Sequence, residues 1–126
     1  MIPIQISSYE DYKEIIKKED SMKLLTKELI ERFEKVGRQE EVKDPIVIAK
    51  FFNPIGRGYW FATEYDPKDK IFFGYVSLFG DYNDEWGSFS LEELESLQLP
   101  MGMKIERDLY FGEKPSSEII KEYTNV

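Results

Sequence analysis

The amino-acid sequence predicts an α+β fold, namely a mainly antiparallel sheet of about five strands with three to four short helices packed on it. Three observations support this fold class. Several runs carry the alternating or two-sided apolar pattern of strands. Short polar turns join consecutive runs as in antiparallel hairpins, and hydroxyl side chains stand ahead of helical apolar stripes. At 126 residues, the chain has the length of a single domain.

The predicted strands are apolar runs separated by turn residues. In the first run both alternating sets of side chains are apolar, which is typical of a strand that is covered on both faces. In the second run alternation places Trp60, Ala62 and Glu64 on one face. The runs are IVIAKFF from Ile46, YWFATEY from Tyr59, IFFGYVSLF from Ile71, WGSFS from Trp86 and MKIERDLYF from Met103.

The predicted helices follow cap residues. Thr26 precedes an apolar stripe at helical spacing. Ser90 and Glu93 match a capping box, in which each side chain satisfies a free backbone N–H, and they predict a short helix. Ser116 or Ser117 is expected to cap a final helix.

Residues 1–21 are predicted to form an N-terminal extension, a short strand followed by an amphipathic helix, ahead of a single domain over 22–126. The first residues lack the basic and apolar regions of a secretory signal. The longest apolar run is four residues, which is too short to span a membrane. We therefore expect a soluble cytoplasmic protein.

Cysteine and histidine are both absent from the chain. Their absence excludes disulfides, thiol nucleophiles, the usual zinc sites and a Ser-His-Asp triad. It also removes the commonest general base. We therefore expect no cofactor, no metal site and no catalytic residues. The composition favours a protein that is not an enzyme.

The negative charge is concentrated in the second half of the chain. Residues 64–126 carry fourteen acidic and six basic groups, which accounts for the whole net charge of −8. An acidic surface repels phosphate backbones, so direct nucleic-acid binding is disfavoured. A protein partner is expected instead, although solubility is a simpler explanation of the charge.

The triplet Glu106-Arg107-Asp108 lies inside the last predicted strand. By alternation Arg107 points to the core face, where an arginine is costly unless it is paired with a carboxylate. We expect Glu64 to be that partner, because it shares a face with Trp60 in the second run. The alternative is that Arg107 anchors an anionic ligand.

An acidic loop follows the third predicted strand. Its oxygen-bearing residues Asp81, Asn83, Asp84 and Glu85 lack the alternate-ligand spacing and later bidentate glutamate of a calcium loop. A solvated hairpin loop is the preferred interpretation.

Several segments of the chain resemble one family in order and spacing. They are MKLLTKEL from Met22, KFFNP from Lys50, WFATEYDP from Trp60, FFGYVSLFGDYNDEWGSFSLEELES from Phe72 and PMGMKIERDLYF from Pro100. The chain resembles small bacterial and mobile-element proteins catalogued only as a domain of unknown function. The resemblance implies a setting on mobile DNA, and it supplies no mechanism and no catalytic residues.

These observations lead to two functional hypotheses. The first is a non-catalytic interaction protein of mobile-element origin whose acidic, aromatic surface contacts a protein partner, for example in a counter-defence or nucleic-acid-handling accessory role. The alternative is a small hydrolase or nucleotide-binding enzyme that uses carboxylates and Arg107. The candidate binding residues are Trp60, Glu64, Glu106, Arg107, Asp108 and Tyr110.

Overall fold

A computed structural model describes residues 23–80 and 84–123. The predicted N-terminal extension, with its strand and helix, therefore lies outside the described residues, as do Asp81 and Asn83 of the acidic loop. Within the described part, each long predicted run forms at least part of a strand, and each cap signal lies at the start of a helix.

The described residues form three α-helices, one 3₁₀ turn and seven strands. The helices are α1 (Lys27–Val36), α2 (Leu91–Ser96) and α3 (Ser116–Tyr123), and the 3₁₀ turn is Pro100–Gly102. The strands are β1 (Ile46–Val47), β2 (Ala49–Phe52), β3 (Tyr59–Asp66), β4 (Ile71–Ser77), β5 (Glu85–Ser90), β6 (Glu106–Arg107) and β7 (Lys114–Pro115).

Five of the strands form one antiparallel sheet in the order β5-β4-β3-β2-β6. Neighbouring strands from β2 to β5 are also consecutive in the chain, because each turns back through a short connection to the previous one. β1 and β7 pair separately as a two-stranded antiparallel ribbon. The predicted α+β class with a five-stranded antiparallel sheet is confirmed.

Side-chain caps fix the helix starts. The Thr26 hydroxyl accepts from the Leu29 N–H at 3.2 Å, and the Ser90 hydroxyl accepts from the Glu93 N–H at 3.1 Å, as the sequence predicts. The start of α3 differs from the prediction. Asp44 accepts from the Ser117 N–H at 3.0 Å, and the serine hydroxyls donate to the same carboxylate instead of capping the helix.

Each face of the sheet packs against different helices. The α1 face carries Phe51, Ala62, Phe72 and Phe89, which pack with apolar side chains of α1 and α2. The opposite α3 face carries Phe61 and Tyr75, which pack with α3. The buried aromatic residues of the described ranges are therefore divided between two cores. Tilted ring pairs such as Phe51–Phe72, with centroids 5.2 Å apart, order the larger one.

The last predicted strand is much shorter than its sequence pattern suggests. Of MKIERDLYF, only Glu106–Arg107 pairs with β2, opposite Phe52 and Phe51. Beyond this pair the chain leaves the sheet edge, and Leu109 is 50% exposed where alternation predicts core. One further backbone bond, from the Asp108 N–H to the Lys50 carbonyl at 2.9 Å, ends the pairing, and the chain then turns, with the Phe111 N–H donating to the Asp108 carbonyl at 3.3 Å.

Candidate functional site

A bulge in β3 separates Trp60 from Glu64, two of the predicted binding residues. Ala62 lies opposite Gly74, but Glu64 lies opposite Phe73, so Thr63 is an extra residue in the register. Every side chain after Thr63 therefore lies on the face opposite to the one that simple alternation gives. Trp60 packs on the α1 face, whereas Glu64 lies on the α3 face beside Phe73.

The predicted pairing of Glu64 with Arg107 is wrong. Arg107 lies opposite Phe51, which in turn lies opposite Trp60, so these residues share the α1 face. Glu64 is two strands and four positions away on the other face, an α-carbon separation of about 15 Å. Arg107 is half-buried and lines a pocket of about 310 Å³ beside the first turn of α1.

The other three predicted residues lie at the β6 edge of the sheet. Glu106 is exposed, and Tyr110 is 96% exposed. Asp108 is half-buried, with a carboxylate oxygen 3.4 Å from the ammonium of Lys50. The six predicted residues are thus divided between the two sheet faces and the loop after β6, and they do not form one site.

Lys50 is the centre of a cluster that the sequence-based prediction missed. Its ammonium donates to the Tyr123 hydroxyl at 2.8 Å and lies 5.2 Å and 5.1 Å from the ring centroids of Tyr59 and Tyr123. Burial alone lowers the pKa of Lys50, but the hydrogen bond to Tyr123 and the charge of Asp108 outweigh it and raise that pKa. The sequence feature that could have indicated this cluster is a lysine, Lys50, inside a run that is apolar on both faces.

Arg57, in the loop between β2 and β3, bonds to the same cluster. Its guanidinium donates to the Tyr123 carbonyl at 2.9 Å and to the Ser77 hydroxyl at 3.3 Å. It also lies 5.5 Å from the Tyr59 ring centroid. Because the Lys50 ammonium, the Tyr123 hydroxyl and the Arg57 guanidinium all bond within the fold, the cluster has the geometry of a structural junction between β2, β3 and α3.

Asp84 organises the described part of the acidic loop. Its carboxylate accepts from the N–H groups of Leu78, Phe79 and Gly80 at 3.1, 3.3 and 3.2 Å, and from the Ser77 hydroxyl at 2.7 Å. These donors occupy the carboxylate that a calcium site would need. Across the described residues, no group of three acidic side chains is arranged to hold a metal ion.

An apolar patch lies on the part of the α3 face that α3 leaves uncovered. Phe73 and Trp86 stack with centroids 6.1 Å apart, and Ile71 lies on the same face of β4. We call these three side chains the β4–β5 patch. Phe73 and Ile71 are each 38% exposed, and Trp86 is 36% exposed. Exposed aromatic groups of this kind are enriched in protein interfaces.

A groove of about 720 Å³ is continuous with this patch, since Ile71 and Phe73 line both. Its floor is apolar, and its rim holds four carboxylates and one arginine. The carboxylates of this acid-rimmed groove belong to Glu34, Glu40, Glu64 and Asp66, and the arginine is Arg38. Arg38 lies 3.7 Å from Glu40, and the four carboxylates and one arginine together give the groove lining a formal net charge of −3.

None of the helices in the described ranges is long and apolar enough to cross a membrane.

Comparison with curated proteins gave no match, and neither did comparison with solved structures. A family model described as Protein of unknown function (DUF2958) matches residues 24–125. This match confirms the resemblance noted in the sequence, and the chain belongs to that family.

Proposed function

We propose that the chain is a non-catalytic interaction protein whose β4–β5 patch and acid-rimmed groove bind a basic partner protein. The observation that carries this proposal is the continuity of the two features. Half-exposed Phe73 serves both, and four carboxylates against one arginine surround the groove floor. Aromatic anchors supply binding energy in protein interfaces, and a negative rim selects a cationic partner.

The composition of the chain supports the same conclusion. It has no cysteine and no histidine, and the second half holds the net charge of −8. The setting on mobile DNA that the family resemblance implies, a cytoplasmic location and a counter-defence or nucleic-acid-handling role are parts of this proposal. A basic nucleic-acid-binding protein of the host has the surface charge that the groove requires.

The alternative, a hydrolase or nucleotide-binding enzyme built on carboxylates and Arg107, stays a prediction. Its residues lie apart, since Glu64 and Arg107 occupy opposite faces of the sheet. A thermal-shift panel of nucleotides with Mg²⁺ tests it directly. A reproducible rise in melting temperature that Arg107→Gln abolishes would favour the enzyme over the interaction protein.

Affinity capture with matched variants tests the proposal. The tagged chain and a Phe73→Ser/Trp86→Ser double variant are used on extracts of host cells, with Tyr110→Ser as the control at an exposed aromatic outside the patch. We expect one basic protein to be retained by the parent chain and by Tyr110→Ser, and to be lost at least tenfold with the double variant. Equal retention by all three chains contradicts the proposal.

A further inference from the structure

We propose that the open edge of β5 binds an extended segment of a partner by antiparallel strand addition, and that this segment alternates apolar and basic residues. The proposal rests on the interaction function above and names its binding mode. β5 ends the sheet order, and no described strand pairs with its outer side. Over Glu85–Ser90 it contains no proline and no lysine, two residues that proteins use to protect an edge, and its one charged residue is Glu85 at its start.

The register identifies the backbone groups that the open edge presents. The Leu91 N–H donates to the Lys70 carbonyl at 3.1 Å, which makes this a hydrogen-bonded pair at the end of the β4–β5 ladder. Antiparallel pairs alternate between bonded and non-bonded. Glu85, Gly87 and Phe89 therefore bond to β4, whereas Trp86 and Ser88 direct their N–H and C=O groups outward.

The two sides of the edge differ in chemistry, and this difference defines the incoming strand. Trp86 lies on the α3 face and stacks on Phe73, so the side chains added there meet an apolar surface. The α1 face has Glu85 on the strand and helix α2 alongside. Helix α2 exposes Glu92, Glu93 and Glu95 and has no basic residue in its last turn.

An incoming strand alternates its side chains between these two faces. Residues directly opposite Trp86 and Ser88 share their face, so the positions that hydrogen-bond to β5 are the apolar ones. The positions between them carry the basic side chains toward the acids. A second copy of this chain is a poor occupant, because its net charge of −8 would bring like charges together at the edge.

A synthetic probe tests this geometry. It is an eight-residue peptide of alternating valine and lysine, blocked at both ends and labelled for fluorescence anisotropy. Two further versions carry backbone N-methyl groups, one on every valine and the other on every lysine. We expect the unmodified and lysine-methylated peptides to bind within threefold of each other, and the valine-methylated peptide to bind at least tenfold more weakly.

Protein variants supply the matching arm. Ser88→Pro removes one outward N–H, and edge positions tolerate proline. Ser88→Thr keeps that N–H as the control. We expect at least tenfold weaker binding of the unmodified peptide to Ser88→Pro and an unchanged affinity for Ser88→Thr. If Ser88→Pro does not fold, as judged by circular dichroism, the methylated peptides on the parent chain decide.

The results distinguish this inference from the proposed function. Equal affinity for the two methylated peptides, or no binding of the unmodified peptide, overturns strand addition. If capture of the basic protein still depends on Phe73 and Trp86, the interaction function survives that result. Self-association of the parent chain through β5, detected by light scattering and lost in Ser88→Pro, also overturns the proposal because it identifies a second copy as the occupant.

Discussion

The side-chain amide of Gln39 donates a 2.8 Å hydrogen bond to the carbonyl of Thr63, the extra residue of the β3 bulge. The same amide donates to the Ile46 carbonyl at 2.9 Å and accepts from the Ile46 N–H at 2.7 Å. Gln39 is 4% exposed. Its side chain supplies a hydrogen bond to Thr63, a residue that has no partner in the register of β3 with β2 or β4. This contact fixes the bulge, and the bulge places Glu64 on the rim of the groove.

Replacing Gln39 by alanine is expected to destabilise the protein by about 2–4 kcal/mol, because buried backbone groups at Ile46 and Thr63 lose their partners. Urea unfolding measures the change. Glu40→Ala is the matched control, since Glu40 is an exposed neighbour, and it should stay within about 0.5 kcal/mol. Equal stabilities for the two variants would show that Gln39 does not support the bulge.

Gly74 and Gly87 face each other across β4 and β5 but should respond in opposite ways to alanine. A Cβ at position 74 would overlap the Phe61 carbonyl oxygen, whereas a Cβ at position 87 meets nothing within 4 Å. We expect Gly74→Ala to lower stability by at least about 2 kcal/mol and Gly87→Ala to be neutral or stabilising. Thermal melts of both variants check this contrast.

Asp44 should make the stability of the protein depend on pH in the acid range, through its hydrogen bonds at the start of α3. The hydrogen bonds from Ser117 lower the pKa of this carboxylate. The unfolded chain therefore binds the proton more readily, and the contribution of Asp44 is present above about pH 4 and is lost as pH falls through the folded pKa. Asp44→Asn should have a lower melting temperature at pH 7, and the difference should shrink at pH 3. Parallel profiles for the two chains would contradict this role.

Lys50→Met should remove the charge at the junction while keeping its apolar stem. We expect a loss of about 1–2 kcal/mol from the aromatic contacts and the hydrogen bond to Tyr123. Because the pKa of Lys50 is raised, its contribution is present below about pH 10.4 and is lost at higher pH. Urea unfolding at pH 7 checks the loss, with exposed Lys104→Met as the control. A loss of similar size from Lys104→Met would refute the role of the junction.

Local interactions explain what the sequence predicts well. Thr26 and Ser90 bond to N–H groups three residues away, so their caps are visible in a short window. Strands β2 to β5 pair with their neighbours in the chain, which turn signals indicate. Fold class, sheet and helix starts follow from such short-range patterns.

The parts that the sequence does not predict depend on distant partners. Gln39 and Thr63 are 24 residues apart, and Lys50 and Tyr123 are 73 apart. Alternation cannot show an extra residue that a distant side chain holds in place, so it predicts the wrong face of the sheet for Glu64. The β4–β5 patch was equally hidden, because a strand pattern does not reveal where a covering helix ends.

The most direct measurement places a photo-crosslinking amino acid at position 73, and separately at position 110, in the chain expressed in its host. Both positions carry exposed aromatic residues, but only Phe73 belongs to the β4–β5 patch and the acid-rimmed groove. The proposed function predicts that one basic protein is crosslinked from position 73 and none from position 110. The same protein crosslinked only from position 110, or no crosslink from position 73, would contradict it.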